Sequence, residues 1–488
     1  MQNYSYYLEK TGEYGEVTEI KYPIVEAVGL PLAKLNEIVV FETGEIGQIF
    51  NLKEDSIRIV LLTTNPVTVG TRLSRTNSQH TVSIPEQILG TIINPFGLPI
   101  SSDFKSPSQG QERLVDGPPP SIAQRKKITK QLVTGTALVD IVIPIGKGQR
   151  QLVLGDRKTG KSTFVLTAIK NQLAQGVITI YACIGKKKAE LKYLEEFLLT
   201  DPKNKKNMII VATTSFDSPG LIYLTPYTAM TIAEYFRDQG RDVLLVMDDL
   251  LTHAKFYREL ALLAESFPGR DSYPGNIFHI HAKLLERAGN FIHEKVKEVS
   301  ISCLPIVETQ EADFSGYIVS NSMSITDGHI FFDNNVFAQG RRPAINIPLS
   351  VTRVGKQTQS PLLKDINHEV TTLFSEFEKV ESLSHFGSDM TEHAKKIYDR
   401  GEKIYHFFNQ SAGNILLPEI FLPIFGLIWL DVLNTSVEIE DAKIKLQTAY
   451  QNPQTSELIK PFFQSVSLED FLSKIEAKKT ELLALIHT

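Results

Sequence analysis

Eight consecutive residues, Gly155-Asp156-Arg157-Lys158-Thr159-Gly160-Lys161-Ser162, have the types and spacing of a phosphate-binding loop. Glycines at both ends let the backbone curl until several N–H groups point at one anion. Lys161 can then reach the terminal phosphates, and the Ser162 hydroxyl can ligate Mg²⁺. The chemistry on offer is capture of a nucleotide, ATP or ADP, with Thr163 continuing the same turn. A second candidate lies downstream. Val243-Leu244-Leu245-Val246-Met247 is an apolar run closed by Asp248, the arrangement in which a strand-ending carboxylate holds Mg²⁺ through its water shell. Alone, an aspartate at a strand end is as readily a turn residue. Beside a complete phosphate loop it reads as the metal's second partner.

These groups need a scaffold that brings strand ends together. Gln151-Leu152-Val153-Leu154 predicts a buried strand entering the loop, and Ser162 to Gln172 predicts a helix whose positive N-terminal end faces the phosphates. Val177 to Ile184, Met208 to Thr213, Val243 to Met247 and Ile301 to Val307 are further near-continuous apolar runs with helical segments between them. That is the signature of a mainly parallel sheet covered on both faces, which collects its ligands at one edge. Gly15 to about Ile84 follows another pattern. Its short β-rich runs (Val17 to Ile20, Ile38 to Phe41, Gly47 to Phe50, Ser56 to Leu62) are divided by turn signals and read as a small barrel or sandwich. After about Leu373 strand signals stop, and helical patterns run from Phe374 to His487 with breaks near Asn409 to Asn414 and at Gln451-Asn452-Pro453. The expected organisation is a multi-domain α/β chain: a short tail (1–14), a β domain (15–88), a P-loop nucleotide domain (89–373) and a C-terminal helical domain (374–488).

A chain of 488 residues, 42% hydrophobic and 22% charged, can build roughly two to four domains with real cores. A net charge of -5 argues against a nucleic-acid partner held by broad phosphate neutralisation. Cys183 and Cys303 lie in apolar runs without metal-ligand spacing, which predicts buried reduced thiols and a reducing, cytoplasmic compartment. Met1 to Glu16 has no apolar core flanked by basic residues and so is not a signal peptide. The longest apolar stretch, Ile420 to Leu430, contains Pro423 and falls short of the roughly 20 residues that span a bilayer, so a buried helix is expected there. Any membrane role would come through partners.

Beyond these elements, a series of segments resembles the α subunit of F-type rotary ATPases and ATP synthases. They are Gln131-Leu132-Val133-Thr134-Gly135 with Pro144 to Arg150, the phosphate loop, Glu234-Tyr235-Phe236-Arg237-Asp238, Pro268-Gly269-Arg270 with Tyr273-Pro274-Gly275, Leu284-Leu285-Glu286-Arg287, Glu308-Thr309-Gln310, Ser324-Ile325-Thr326-Asp327-Gly328, Arg342-Pro343-Ala344-Ile345-Asn346 and Ser350 to Gly355. They occur in the family's order, and the Gly-Asp-Arg form of the loop points to the α rather than the β type. The resemblance implies an N-terminal β-barrel, a central P-loop (RecA-like) nucleotide domain and a C-terminal α-helical bundle. It also implies an alternating hexamer with catalytic β-type subunits around a γ-type shaft, peripheral on the inner face of the cell membrane. Such a subunit binds Mg-nucleotide without turning it over and lends an arginine to the neighbouring catalytic site. Arg353 matches that arginine, with Ser324 beside it at the subunit interface, and Arg342, Pro343 and Gln410 match the nucleotide pocket.

Several positions depart from the family. Catalytic subunits place a glutamate after the strand that follows the loop helix, and α subunits usually place a glutamine; here Lys186 stands there. A lysine beside phosphates stays protonated and cannot act as a base, so own-site hydrolysis should be absent or very slow. Lys187 and Lys188 read as a solvated loop. Lys158 replaces the family's loop glutamine and adds a cation, while Gln410-Ser411-Ala412 keeps one amide of the family's Gln-Gly-Gln. Only 14 residues precede Gly15, where the family has a docking helix, and they show no helical stripe. Val380 to Asp389 matches the family's rotor-facing segment. Two other readings share the loop. One is a self-sufficient homohexameric P-loop ATPase of the helicase or secretion type, opposed by Lys186 and the acidic net charge. The other is a structural ring subunit that no longer binds nucleotide, opposed by the intact Lys161, Ser162 and Asp248.

Overall fold

In the computed structural model, which describes residues 2–100, 110–384 and 391–487, the β-rich start forms six strands: Gly15–Lys21, Ile24–Val28, Glu37–Phe41, Ile46–Leu52, Ile57–Leu61 and Arg72–Gln79. Each pairs antiparallel with its neighbours, and the last closes on the first with Gly15 opposite Leu73, so the choice between barrel and sandwich falls to a closed barrel. Val17, Val25, Val39, Phe41, Ile49, Ile59 and Leu73 fill its interior. Arg72–Gln79 carries no apolar alternation to mark it. Its Arg75 is buried against Glu37 at 3.0 Å and Glu13 at 3.4 Å, so ion pairing stands where an alternating strand would use hydrophobes. The N-terminal tail also differs from expectation. Tyr4–Thr11 is a helix of 8 residues set by local caps rather than by an apolar stripe: Asn3 accepts the Tyr6 N–H, and Gly12 closes the end at φ 66.

Two compact units divide the chain: Met1–Lys127 with Leu173–Thr309 and Asp313–Thr326, and Ile128–Gln172 with Gln310–Ala312 and Asp327–Thr488. In the first, the outer barrel face (Ile24, Ile38, Val60, Leu62) packs on Leu224, Leu260 and Ala264 of helices Pro219–Asp238 and Leu250–Leu263 and the turn after them. The approach requires a glycine, since a Cβ on Gly220 would meet Val60 Cγ1 at 2.4 Å and the Leu61 carbonyl at 2.7 Å. Lys297–Glu308, Val243–Asp248, Ile178–Lys186 and Met208–Thr214 follow one another in parallel, as the apolar runs predict, and the short strand Ile92–Ile93, which no apolar run announced, adds in parallel to the last of them. Cys183 and Cys303 sit in them, buried and without a disulfide. Arg287, itself buried, joins two of the family-like segments through paired contacts to Glu234 at 3.0 and 2.6 Å.

The second unit carries the phosphate-loop strand Leu152–Gly155, parallel to Gly328–Phe332, which pairs antiparallel with Val351–Thr352. Its helices are individually punctuated. Pro361–Ser384 begins before the expected change of pattern near 373, Thr391 caps Glu392–Phe408, Pro418 opens Pro418–Trp429, and a Thr435–Glu438 capping box opens Ser436–Ala449. Buried Phe377, Phe407, Phe421, Phe425, Phe462 and Phe471 pack between them. The apolar stretch around Pro423 is a buried helix, and no helix of the described residues is long and apolar enough to cross a membrane. His385 to Asp389, the end of the rotor-like segment, lie outside the described residues.

Candidate functional site

The phosphate loop turns where its glycines allow. Gly155 adopts φ 144, and a Cβ there would lie 2.3 Å from the Phe332 carbonyl of the paired strand, so that position accepts only glycine. Gly160 follows at φ 102, and helix Lys161–Ala174 starts directly after it. Ser162 and Thr163 are exposed on the first turn, where helix N–H groups lack intrahelical partners and the dipole favours an anion. Lys161 is buried, its Nζ donating to the carbonyls of Gly155 at 2.7 Å and Asp156 at 2.6 Å. Thr159 Oγ1 ties the loop to the same Asp156 carbonyl. The Asp156 carboxylate accepts from Asn334 Nδ2 at 2.6 Å and from the Ala312 N–H. Asn334 is a brace that no sequence pattern announced. Arg157 and Lys158 stand exposed at the apex, Lys158 in the left-handed region at φ 64.

Arg342, Pro343 and Gln410 come together in the same unit. Arg342 lies over the Phe337 ring at 3.5 Å, and its Nη1 donates to the Phe337 carbonyl at 2.8 Å. Its own carbonyl accepts the Gln410 N–H at 2.8 Å. The Gln410 amide is wired into the framework, with Nε2 donating to the Gly135 and Asn414 carbonyls and Oε1 accepting from the Ala137 N–H. Phe337 sits in helix Asn334–Ala338, whose first residue braces Asp156, so this set and the phosphate loop share a support.

In the other unit, Lys186 and Asp248 end neighbouring parallel strands, with Cys183 opposite Asp248. Sequence reasoning placed Asp248 as a metal partner but missed that its oxygens already have protein partners: Lys186 Nζ at 2.8 Å and the Tyr181 O–H at 2.6 Å. Lys186 also reaches Asp249 at 3.1 Å. Asp249 caps helix Leu250–Leu263, accepting the Thr252 N–H at 2.6 Å. Burial would lower the Lys186 pKa, but the two carboxylates outweigh it and hold the ammonium above the usual lysine range. Burial, reinforced by Asp248, likewise keeps the Tyr181 phenol protonated. Lys186 and Asp248 were each legible in the sequence, but their pairing, and the parts of Tyr181 and Asp249 in it, were not. Lys187 and Lys188 are exposed, as expected.

Arg353 is exposed just after strand Val351–Thr352. Its N–H donates to the Asp327 carbonyl at 3.0 Å, and the Asp327 carboxylate grips Arg150 through Nη2 at 2.7 Å and Nε at 3.0 Å. The guanidinium is thus carried by a main chain anchored beside the strand that enters the phosphate loop. Ser324 is exposed near the end of helix Tyr317–Ile325, its Oγ donating to the Ser320 carbonyl.

Comparison with known proteins adds to this geometry. The family model described as "ATP synthase alpha/beta family, nucleotide-binding domain" matches residues 135–352. The chain is 38% identical over 410 residues to ATP synthase subunit alpha 2 of Syntrophus aciditrophicus, covering 83% of this chain and 78% of that protein. It is 37% identical over 403 residues to ATP synthase subunit alpha of Mycoplasma pneumoniae, covering 82% and 77%. Over 478 residues it is 35% identical to ATP synthase subunit alpha of Helicobacter pylori, covering 98% and 90%.

Proposed function

The chain belongs to the family of ATP synthase alpha subunits, and from that premise we propose that it binds ATP or ADP without turning it over and completes the catalytic site of a neighbouring β-type subunit with Arg353. The observation that carries the reading is Lys186, salt-bridged to Asp248 and Asp249 at the position where a catalytic subunit places its carboxylate. An ammonium so paired has no lone pair with which to take a proton from an attacking water. The nucleotide would be held by the loop N–H groups, Lys161 and the exposed loop cations, with Arg342, Pro343 and Gln410 shaping the base end. In the assembly this chain would alternate with β-type subunits in a hexamer around a γ-type shaft, with Ser324 and Arg353 at the interface and contact with the membrane made only by other subunits. The domain limits at 14, 88 and 373 are part of the same proposal.

Magnesium fits this chain incompletely. Ser162 offers an exposed hydroxyl, whereas Asp248 is already hydrogen-bonded and ion-paired. The reading is tested on the isolated chain. Nucleotide released on denaturation should be ATP or ADP in stoichiometric amount, and hydrolysis by the chain alone should stay well below about 1 s⁻¹, the lower end of ordinary enzyme turnover. Turnover at that rate without a partner would overturn the assignment.

A further inference from the structure

We propose that Asp140 is a positioning residue for nucleotide selection: through Thr134 and Gly135 it fixes the Gln410 amide, and so sets how firmly the site holds the nucleoside as distinct from the phosphates. The inference rests on the nucleotide-binding reading above and adds to it the residue that governs the base end. All of these groups lie in the unit that carries the phosphate loop. Asp140 is buried on the short helix Ala137–Val142. Its Oδ1 accepts the Thr134 N–H and the Thr134 hydroxyl, both at 2.8 Å, and its Oδ2 accepts the Gly135 N–H at 3.0 Å. None of these partners carries a charge. Burial pushes the carboxyl up to about 7, although all three hydrogen bonds pull it down. An anion kept in the interior without a counterion is costly, and a neutral side chain would fill the same space at less cost. What a carboxylate supplies here is acceptance of three donors from two successive residues, which freezes the turn they make.

That turn joins the loop helix to Gln410. On one side the Val133 carbonyl accepts Asn171 Nδ2 at 2.8 Å and Gln172 Nε2 at 2.7 Å, both from helix Lys161–Ala174. On the other, Gly135 stands at φ 79, where a Cβ would meet Ile415 Cγ2 at 2.8 Å. Its carbonyl accepts Gln410 Nε2 at 2.6 Å and the Leu416 N–H at 2.9 Å. Two residues on, the Ala137 N–H donates to Gln410 Oε1 at 3.3 Å. The Gln410 amide is thus oriented by a segment whose geometry Asp140 dictates. An asparagine at 140 would turn an NH₂ group toward the Thr134 or the Gly135 N–H, donor against donor, and the turn would lose at least one of its bonds. Phosphate capture by Lys161 rests on separate bonds, to the Gly155 and Asp156 carbonyls.

Titration calorimetry of the full-length chain with ADP and with inorganic pyrophosphate, in one buffer, tests this. The wild-type chain should bind ADP the more tightly. Asp140→Asn should weaken ADP at least roughly tenfold while pyrophosphate stays within about threefold of wild type. Equal losses for the two ligands would make Asp140 merely structural, and an unchanged ADP affinity would give it no part in binding; either result overturns the proposal. A wild-type chain that binds pyrophosphate as tightly as ADP also overturns it, while leaving the phosphate loop in its role. Absence of binding by both ligands overturns the nucleotide reading itself, and this proposal with it. Should Asp140→Asn fail to fold, Thr134→Val decides the matter, since it removes the hydroxyl bond and leaves both N–H bonds in place. It should weaken ADP about threefold or more and leave pyrophosphate as it was, and an unchanged preference for ADP overturns the proposal.

Discussion

Replacing Arg353 with alanine should lower kcat of the assembled complex by roughly 10² or more while changing nucleotide affinity far less. A guanidinium aimed at a γ-phosphoryl acts chiefly on charge that develops in the transition state, and a finger supplied from a neighbour is worth about 10³ to 10⁵ in rate. The fold around Arg353 makes the experiment clean. The main chain there is held by the Asp327 carbonyl, and Asp327 is held by Arg150, so neither bond is lost when the side chain is shortened. Arg353 is exposed, so shortening it opens no cavity in the core. Arg353→Lys should recover little, because an ammonium keeps the charge but lacks the planar fork. Steady-state hydrolysis by complexes reconstituted from variant chain and wild-type partner gives the number, with assembly checked by mass and subunit ratio. An intact complex turning over at the wild-type rate would remove the finger role.

The second large effect belongs to Lys161. Lys161→Ala should weaken ADP and ATP binding by the isolated chain roughly 10²-fold or more, since hydrogen bonds to charged groups contribute about 1.5 to 3 kcal/mol each and an ammonium can give a phosphate two. Lys161→Arg should not restore binding. The Lys161 ammonium fits between the Gly155 and Asp156 carbonyls at 2.7 and 2.6 Å, where a compact point charge is needed and a planar fork is not. Calorimetric titration measures the loss, and retention of wild-type affinity would mean that the loop does not hold the phosphates. Folding is scored separately by thermal unfolding. The strand and helix flanking the loop are built on buried residues such as Val153, Leu154, Val165 and Ile169, which the substitution leaves in place.

What the residues disclosed in advance follows from how local the relevant physics is. The loop at Gly155 to Ser162, the buried strands and the helical tail were readable because backbone curvature, apolar continuity and capping are written within a few neighbouring positions. Arg72–Gln79 was not, because its buried Arg75 is satisfied by Glu13 and Glu37, far away in the chain. The helix Tyr4–Thr11 escaped notice because two cap residues define it and no buried face does. At the site, Asp248 was read from the strand that carries it, while its pairing with Lys186 and Tyr181 depends on the register of adjacent parallel strands. No single segment encodes that register. Asn334 bracing Asp156 is of the same kind, a contact between residues 178 positions apart.

The placement of the two buried cysteines makes the protein its own stopwatch. Cys183 and Cys303 sit in strands on either side of Val243–Asp248, and they are the only two thiols in the sequence. Burial, with Asp248 adding to it, pushes the Cys183 thiol up to about 12, so at neutral pH it offers an alkylating reagent almost no thiolate. Both side chains have no exposed surface. Modification therefore has to wait until these strands part, and in excess reagent the pace of labelling is the pace at which the middle of the sheet opens. Without any added probe, this chain reports the lifetime of the strands that carry Lys186 and Asp248.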